Sequence, residues 1–493
     1  MTRPNVLWIV ADHQAFGNRN VDLDLFPLQA WLRARGTEFC RAYAVLPICS
    51  PSRASMLTGL YPHTHGLTEN DGRFGGRAEL DAGDRMIQHE FAETGYTCGW
   101  FGKWHLSQHG SALDFGFEGF SLPGYGYPYG TTEYRHYLSS CHDGPLWAKV
   151  ELPGESRREP GTYINLTEKD YWFDYEAGTA IMHGAEEVHE AFFLADAAAK
   201  WIADLPDDTP FFVRLDAWGP HPPYMIPTGC SSPLQGVDIA PNENLADDLG
   251  ARPAHHRDYR DQWRKDLRED AFNWPLLSRR AMEHCIIVER AFIKMVEQLE
   301  AMGRLEDTII VFCADHGDAV ASNGGVMNKG GLLVEETLRI PLLFAGPGIA
   351  KGSTTNSLIG NVDIAPTLLD MCGLKTTIPM QGQSAAAHLA APETAPFRSA
   401  LMVEHYGLHV PILQRAFYKD CWKYVIQPDG FEEVYDLSTD PCERENLAGA
   451  AASASLLADL RAGLQDEMHR LADTDPRLAR IKQVLAGGAA VSG

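Results

Sequence analysis

Apolar residues along this chain fall into short, nearly continuous runs, separated by segments with helical spacing. The runs occupy residues 5–11, 97–101, 211–215, 308–314 and 340–345. Such runs are typical of strands that are buried on both faces of a parallel sheet. Apolar positions three or four apart predict helices at residues 28–35, 86–93, 185–205 and 282–302. This alternation predicts an α/β fold with a large mixed, mostly parallel sheet flanked by helices.

The pattern changes near residue 390. A stretch rich in Ala and Pro at 385–396 marks a domain edge, and Gly430 falls in a turn between two short strand patterns. The strand patterns cover residues 400–404, 415–418, 422–427 and 433–437, and leucines at helical spacing follow at 456–471. We therefore predict a large domain at 1–390, a small C-terminal domain of antiparallel sheet and helix at 396–475, and a tail at 476–493 that lies loosely on the surface or packs on a second subunit.

Two stretches have few periodic apolar positions. Residues 107–175 are rich in Gly, Tyr, Pro and His, which predicts a loop insertion near the mouth of the site. Residues 233–274 change from acidic to basic, which predicts a surface excursion. Loops of the first kind often contact ligands, although no single residue in it stands out.

A reactive side chain stands beside a predicted helix start. Cys49 precedes Pro51, which suits a first helical position, and Gly59 suits the helix end. Cys49 is therefore expected just before a helix N-terminus, where unpaired N–H groups and the dipole favour an anion. Arg53, four residues on, is expected to point the same way. The alternative is a buried free cysteine beside an ordinary helix.

The run Cys49-Ser50-Pro51-Ser52-Arg53, continued by Ala-Ser-Met-Leu-Thr-Gly, resembles the maturation motif of the formylglycine-dependent sulfatases of the alkaline phosphatase superfamily. In that family a formylglycine-generating enzyme oxidises the cysteine to Cα-formylglycine, whose hydrated aldehyde is the nucleophile. The resemblance spans most of the chain, although its specific motifs are short. It implies an alkaline phosphatase-like fold, with residues 1–390 as the catalytic domain.

Polar residues directly follow two of the predicted strands. Asp12 and His13 follow the first, and Asp315 and His316 follow the strand at 308–314. Open α/β sheets bind ligands at the carboxyl ends of their strands. Carboxylates with imidazole suit a divalent cation of borderline hardness, Ca²⁺ or Mn²⁺. With the resemblance, the predicted ligands of one divalent metal ion are Asp12, His13, Cys49, Asp315 and His316, where His13 is either a ligand or turned away.

The resemblance also assigns roles around the ester. Lys103 and His105, in a Gly-Lys-Trp-His segment, match the lysine that holds the formylglycine hydroxyl and the histidine that serves as a base. His221, in a Pro-His-Pro context, matches the histidine beside the leaving oxygen, and Lys329 matches the lysine that contacts the sulfate group. Asn70 resembles a substrate-contacting asparagine of phosphonate monoester hydrolases, or is a turn residue.

The resemblance thus implies hydrolysis of sulfate monoesters of the arylsulfatase type, with Asp315 assisting the attack. The catalytic residues are then Cys49, Arg53, Lys103, His105, His221, Asp315 and Lys329, and the substrate-binding residues are Asn70, His221 and Lys329.

Two other functions are left open. A phosphonate monoester or phosphodiester hydrolase would use the same site, and a non-catalytic binding protein would keep Cys49 unmodified. Lys103 and His105 favour a sulfatase, whereas Asn70 and the Asp-His pairs after two strands favour a phosphonate hydrolase. Because both esters are tetrahedral anions, we expect a sulfatase with promiscuous activity toward phosphonate or phosphate esters.

Acidic residues outnumber basic ones by 66 to 42, which gives a net charge of −24. This charge argues against nucleic acid or an anionic membrane as a partner, and it requires local cations to attract a small anionic ester. Ten cysteines without paired spacing argue against a disulfide framework. The start of the chain lacks a signal-peptide pattern, and no apolar run approaches the ~18 residues of a membrane span. We expect a cytoplasmic homodimer.

Overall fold

The computed structural model of the chain describes residues 3–15, 23–154, 158–168, 177–230, 232, 234–237, 239–265, 272–394, 396–408 and 410–487. Within these residues, eight strands form one sheet. In spatial order they are β12 (Ser353–Gly360), β2 (Gly36–Tyr43), β11 (Leu342–Ala345), β10 (Thr308–Ala314), β1 (Asn5–Ala11), β8 (Phe211–Asp216), β3 (Thr97–Lys103) and β4 (Glu118–Leu122). β11 runs antiparallel to both of its neighbours, and the other strand pairs are parallel. The predicted mixed, mostly parallel sheet is confirmed.

Helices cover both faces of this sheet. On one face, Leu7 and Ile9 of β1 share a core with α1 (Pro27–Arg35), α6 (Glu190–Ala203) and α8 (Trp274–Ala301). On the other face, Trp8 shares a core with α2 (Cys49–Thr58), α4 (Ile87–Ala92) and α10 (Ile364–Met371). Every residue of β1 and β10 is buried, as the unbroken apolar runs predicted. The other described α-helices of the large domain are α3 (Pro62–His65), α5 (Thr132–Leu138), α7 (Ala254–Arg264), α9 (Glu335–Leu338) and α11 (Ala386–Ala390).

A second sheet was not predicted from the sequence. In the described part of the chain its strands are, in spatial order, β6 (Tyr163–Asn165), β5 (Trp147–Pro153), β7 (Ala177–Met182) and β9 (Tyr224–Pro227). The predicted loop insertion at 107–175 is therefore wrong, since it contains β4, α5, β5 and β6. The predicted surface excursion at 233–274 contains one helix, α7, in its described part. These strands are short and pair with segments far away in sequence, so they leave little periodic signal.

The C-terminal part is an antiparallel meander with two helices. Its described elements are β13 (Ala400–Gly407), β14 (Pro411–Lys419), β15 (Trp422–Ile426), β16 (Glu432–Asp436), α12 (Ala454–Arg470) and α13 (Ala479–Leu485). Leu460 and Leu464 of α12 share a core with this sheet, as predicted. Ile481 and Val484 of α13 join the same core, so this helix of the predicted tail packs on its own chain. It does not lie loosely on the surface. The exact domain limits stay a prediction. No helix in the described residues is both long and apolar enough to span a bilayer.

Candidate active site

Asp12, Cys49, Asp315 and His316 meet at the carboxyl edge of the central sheet. One donor atom of each lies within 4.8 Å of the donor atoms of the other three, and all four residues are buried. The last residues of the parallel strands β1 and β10 pair with each other, so both aspartates leave the sheet at the same place. The structure thus brings together four of the five residues predicted as metal ligands.

This donor set fits a divalent cation, because carboxylates and imidazole are its usual protein ligands. His316 Nδ1 lies 2.8 Å from the Gly317 carbonyl oxygen and donates to it, which leaves a lone pair on Nε2, 3.2 Å from Cys49 Sγ. Burial lowers the pKa of His316 to about 4, so the imidazole is neutral at pH 7, as a ligand must be. Asp12 Oδ1 is buried and accepts no hydrogen bond from the described residues, so a cation there would satisfy it.

The two aspartates carry their negative charges unequally. Burial raises the pKa of Asp12, and the nearby Asp315 raises it further, although Lys103 opposes both. Asp315 is also buried, yet His316 and Arg53 hold the pKa of its carboxyl well below the ordinary value. Two carboxylates this close in a dry site repel each other, and a bound cation would relieve that repulsion.

Cys49 is the first residue of α2 and is only 1% exposed. The sequence predicted that it lies just before the helix, but the helix begins at Cys49 itself, so Pro51 is the third helical residue rather than the first. Gly59 ends the helix in the left-handed conformation, with φ of 64°, as predicted. The reactive atom therefore lies in the first turn, where N–H groups lack helical partners.

Arg53 is fully buried and connects three parts of the site. Its Nε donates to Asp315 Oδ2 at 2.9 Å, and its Nη1 donates to Asp216 Oδ1 at 2.9 Å and to the Lys103 carbonyl at 3.1 Å. Its Nη2 lies 3.6 Å from Asp12 Oδ1 and finds no hydrogen-bond partner within the described residues. The guanidinium therefore fixes Asp315 and keeps one nitrogen available for an anion.

Asp216 is a residue of the site that sequence reasoning missed. It ends β8, which is the neighbour of β1, and it accepts from Arg53 and from Arg214 Nε at 2.9 Å. The Arg214 guanidinium in turn lies 4.1 Å from the Trp8 ring centroid. The signal was present, because a third buried strand also delivers a carboxylate to the same edge of the sheet.

Lys103 and His105 both reach the site, but not along one extended segment. Lys103 ends β3, and its Nζ donates to Asp12 and lies 4.0 Å from the Tyr125 ring centroid. His105 lies just after the end of β3 and has a left-handed backbone with φ of 58°, so it does not continue the strand. Burial lowers the pKa of His105, and the positive charges of Lys103 and Arg53 lower it further, so its ring is a neutral proton acceptor at pH 7.

His221 and His13 form a stacked pair beside the four candidate metal ligands. Their ring centroids are 4.6 Å apart, and the His13 ring lies 4.5 Å from that of His316. The Nδ1 of His221 donates to the Pro222 carbonyl at 2.8 Å. Burial lowers the pKa of both His13 and His221, and Lys329 is the largest charge that adds to this effect. His13 is not in the group of four donors, so its role as a metal ligand stays a prediction.

Asn70 contacts the nucleophile helix rather than an open space. Its Oδ1 accepts from Ser50 N at 3.1 Å, and Gln108 Nε2 donates to its carbonyl at 3.0 Å. The side chain therefore satisfies one N–H group in the first turn of α2. A contact between Asn70 and substrate stays a prediction.

Tyr125 was also missed, although it lies in the aromatic run at 124–130. Its ring is 5.1 Å from the ring of His105 and 5.4 Å from that of His221, and it receives the ammonium of Lys103. It therefore contacts His105 and Lys103 on one side and His221 on the other. The sequence pattern does not distinguish Tyr125 from the neighbouring tyrosines, so its place in the site could not be predicted.

Two family models match the chain. The one described as Sulfatase matches residues 4–374, which include all the site residues discussed above. The one described as N-sulphoglucosamine sulphohydrolase, C-terminal, matches residues 325–470.

Individual proteins agree with these matches. The Ulvan-active sulfatase of Formosa agariphila is 25% identical over 480 residues, which cover 96% of this chain and 82% of that protein. Among solved structures, a 2-O GAG sulfatase has a TM-score of 0.70 at 22% identity and covers 96% of this chain and 93% of that chain. The phosphonate monoester hydrolase of Agrobacterium radiobacter has a TM-score of 0.67 at 20% identity and covers 96% of both chains. The two structures share the fold with this chain.

Proposed function

The chain belongs to the sulfatase family and hydrolyses sulfate esters, and we propose that it does so with a Cα-formylglycine made from Cys49 and with one divalent cation. The observation that supports this proposal is the meeting of Cys49 with Asp12, Asp315 and His316 in one buried site. Cys49 Sγ marks the place where the oxygens of the modified side chain would lie. A hydrated aldehyde there supplies one hydroxyl that attacks sulfur and a second through which sulfate is released.

Residue 49, Asp12, Asp315 and His316 would hold the cation, which is Ca²⁺ or Mn²⁺. When bound, such a cation screens the charge of the ester and acidifies a neighbouring hydroxyl. The imidazole of His316 favours Mn²⁺ over an ion that prefers oxygen ligands alone.

The cationic side chains would position the anionic ester against the net charge of the whole protein. Arg53 and Lys103 lie on the nucleophile side, where Arg53 Nη2 and the Lys103 ammonium can hold the oxygens of residue 49. Asp315 assists the attack, and a neutral His105 accepts the proton of the second hydroxyl. These groups act where negative charge develops, which is the most effective use of fixed donors.

Lys329 and His221 would act on the other side, at the leaving oxygen. His221 uses Nδ1 to bind the Pro222 carbonyl, so Nε2 is the ring atom that can exchange a proton with the departing group. Lys329 is the charge that lowers the pKa of His13 and of His221 most, which supports a position near this pair. We propose that Lys329 neutralises the alkoxide or phenolate as it forms.

Maturation must precede folding of this region. Every residue of α2 is buried, including the whole motif from Cys49 to Arg53, so a modifying enzyme has no access in the folded state. We propose that a formylglycine-generating enzyme acts on the unfolded chain, in the cytoplasm. A homodimer also stays a proposal.

A second candidate activity is hydrolysis of phosphonate monoesters. The Asp-His pair after β10 and the shared fold with phosphonate monoester hydrolases support it. Lys103 and His105 favour sulfate esters, so we propose that phosphonate hydrolysis is the weaker, promiscuous activity.

The first test combines peptide mass analysis with kinetics. Protein made together with a formylglycine-generating enzyme should show the mass loss of thiol-to-aldehyde conversion at the Cys49 peptide. The same protein should hydrolyse 4-nitrophenyl sulfate with a higher kcat/KM than phenyl phenylphosphonate, and Cys49→Ala should abolish both activities. Converted, metal-loaded protein that cleaves the phosphonate ester faster would reverse the assignment. Full activity in protein whose Cys49 is not converted would refute formylglycine as the nucleophile.

A further inference from the structure

A cavity lies beside His13 of the stacked histidine pair. It holds about 630 Å³ of empty space, part of it open to solvent, and its lining includes His13 and Pro220, the residue before His221. Its position places it next to the side of the site where the leaving oxygen of the ester is proposed to lie.

His13 lines this cavity and also contacts His316, one of the four donor residues. The side chain is 2% exposed, and neither of its ring nitrogens has a hydrogen-bond partner among the described residues. Its Nδ1 lies 3.6 Å from Asp318 Oδ2, and Asp318 is held by the hydroxyl of Tyr224 and by the Asn328 N–H at 2.8 Å. Buried polar atoms normally have hydrogen-bond partners, so the two ring nitrogens of His13 can bind a polar atom of a ligand in this cavity.

The rest of the cavity lining is mainly apolar, and it includes two carboxylate side chains. Phe26, Ala281 and Met282 form the apolar wall, and the two last lie on α8. Asp318 and Glu336 are the acidic groups, and no Lys or Arg is among the lining residues that the structure describes. Glu336 is fixed by Asn244 Nδ2 at 2.9 Å, so it cannot turn away easily. An apolar space bounded by fixed carboxylates disfavours a negatively charged guest.

We propose that this cavity is the subsite for the alcohol or phenol part of the ester, and that it selects compact, largely apolar leaving groups without negative charge. This inference rests on the proposed function, since it needs an ester bound at residue 49. It makes small neutral or cationic aryl and alkyl sulfates the preferred substrates and disfavours sulfated polysaccharides with many anionic groups.

The size of the leaving group gives the first test. Met282→Ala should enlarge the cavity and raise the ratio of kcat/KM for 2-naphthyl sulfate to that for phenyl sulfate by about tenfold, the usual effect of a few methylenes in an apolar pocket. Ala281→Leu should lower the same ratio. A ratio is independent of the amount of folded enzyme, so partial unfolding cannot mimic these results. Ala301→Leu, an exposed site at the end of the same helix, is the matched control.

The charge of the leaving group gives the second test. For the wild type, kcat/KM for 4-carbamoylphenyl sulfate should exceed that for the isosteric but anionic 4-carboxyphenyl sulfate by about tenfold or more. Glu336→Gln should narrow this difference. Equal kcat/KM values for the two esters in the wild type would refute the charge selectivity. An unchanged ratio of 2-naphthyl to phenyl sulfate hydrolysis in both Met282→Ala and Ala281→Leu would refute the subsite.

A direct binding measurement separates this inference from the proposed function. Phenol, the product, should bind the wild-type protein by calorimetry and bind Ala281→Leu at least several-fold more weakly. Phenol binding of this kind in a fully converted protein that hydrolyses no sulfate ester would overturn the proposed function and support the cavity as a binding site. Sulfate hydrolysis without any effect of Ala281→Leu would overturn the cavity assignment alone.

Discussion

Single charged side chains decide the chemistry that this site can support. Arg53 and Lys103 are both fully buried, and each is balanced by carboxylates at the ends of neighbouring strands. A buried cation without such partners would be strongly destabilising. Arg53 and Lys103 are the cations that would bind an anionic ester. They are stabilised by aspartates that include the proposed metal ligands, so the two functions of the site share one network.

Asp216 tests this network without touching the proposed ligands. Asp216→Asn keeps the shape of the side chain but removes the charge that holds Arg53, which in turn fixes Asp315. We expect about a 10- to 100-fold loss in metal affinity or kcat/KM, the usual effect of altering a residue that orients a ligand. Titration calorimetry with Mn²⁺ and steady-state kinetics measure it. Asp196→Asn, which alters an exposed ion pair with Lys200, should change neither quantity.

Elements differ in how much of their structure could be read from the sequence. β1 and β10 were predicted with their observed limits because both faces are buried, so all positions after the first had to be apolar. The second sheet was missed because β7 and β9 pair across more than forty residues of chain, a contact that no local pattern reveals. The sequence predicted a tail in place of α13. The helix is short, and its three buried side chains form a recognisable apolar face only together with the rest of the C-terminal core.

The site shows the same division. Residues that leave buried strands, such as Asp12 and Asp315, could be placed from the sequence because register brings strand ends together. The resemblance assigned His105 to the site, but the sequence did not indicate the left-handed backbone that orients its side chain after β3. Tyr125 and Asp318 depend on the path of long loops, which the sequence does not determine locally.

The nucleophile helix α2 gives a test at the scale of an element. Gly59 closes it with φ of 64°, and an added Cβ would lie 2.7 Å from the Met380 side chain. Gly59→Ala should lower the free energy of unfolding by about 1–2 kcal/mol, the strain of a left-handed residue with a side chain. Gly83→Ala, at a position with open space, is the matched control and should leave stability unchanged or slightly higher. Urea unfolding measures both, and equal stability of the two variants would contradict the assigned role of Gly59.

At the scale of the whole molecule, the small C-terminal domain is joined to the large one by an ionic contact near the nucleophile helix. His63 in α3 binds the carboxylate of Glu404 in β13 through Nδ1, and its Nε2 lies 3.0 Å from the Leu471 carbonyl oxygen. Both partners are acceptors, so both ring nitrogens must carry protons. Asp473 lies in the same cluster but is paired with Arg415 at 2.8 Å. We therefore interpret the cluster as an ion-pair network between the domains.

This contact makes the stability of the protein depend on pH. Burial alone would lower the pKa of His63, but Glu404 outweighs burial and raises it above the ordinary value of about 6.5. A raised pKa in the folded state stabilises the protein fully below about pH 6.5, and this stabilisation is lost as the pH rises through the folded-state pKa. Each unit of the shift corresponds to about 1.4 kcal/mol.

His63→Gln, which keeps a donor but cannot become charged, should therefore destabilise the protein most at low pH and least at high pH. Urea unfolding of the metal-loaded protein at several pH values measures the difference between variant and wild type. His183→Gln, at an exposed histidine, should leave the pH dependence unchanged. A constant difference between His63→Gln and wild type at every pH would mean that His63 contributes through packing rather than through its charge, and the ionic link between the domains would then be refuted.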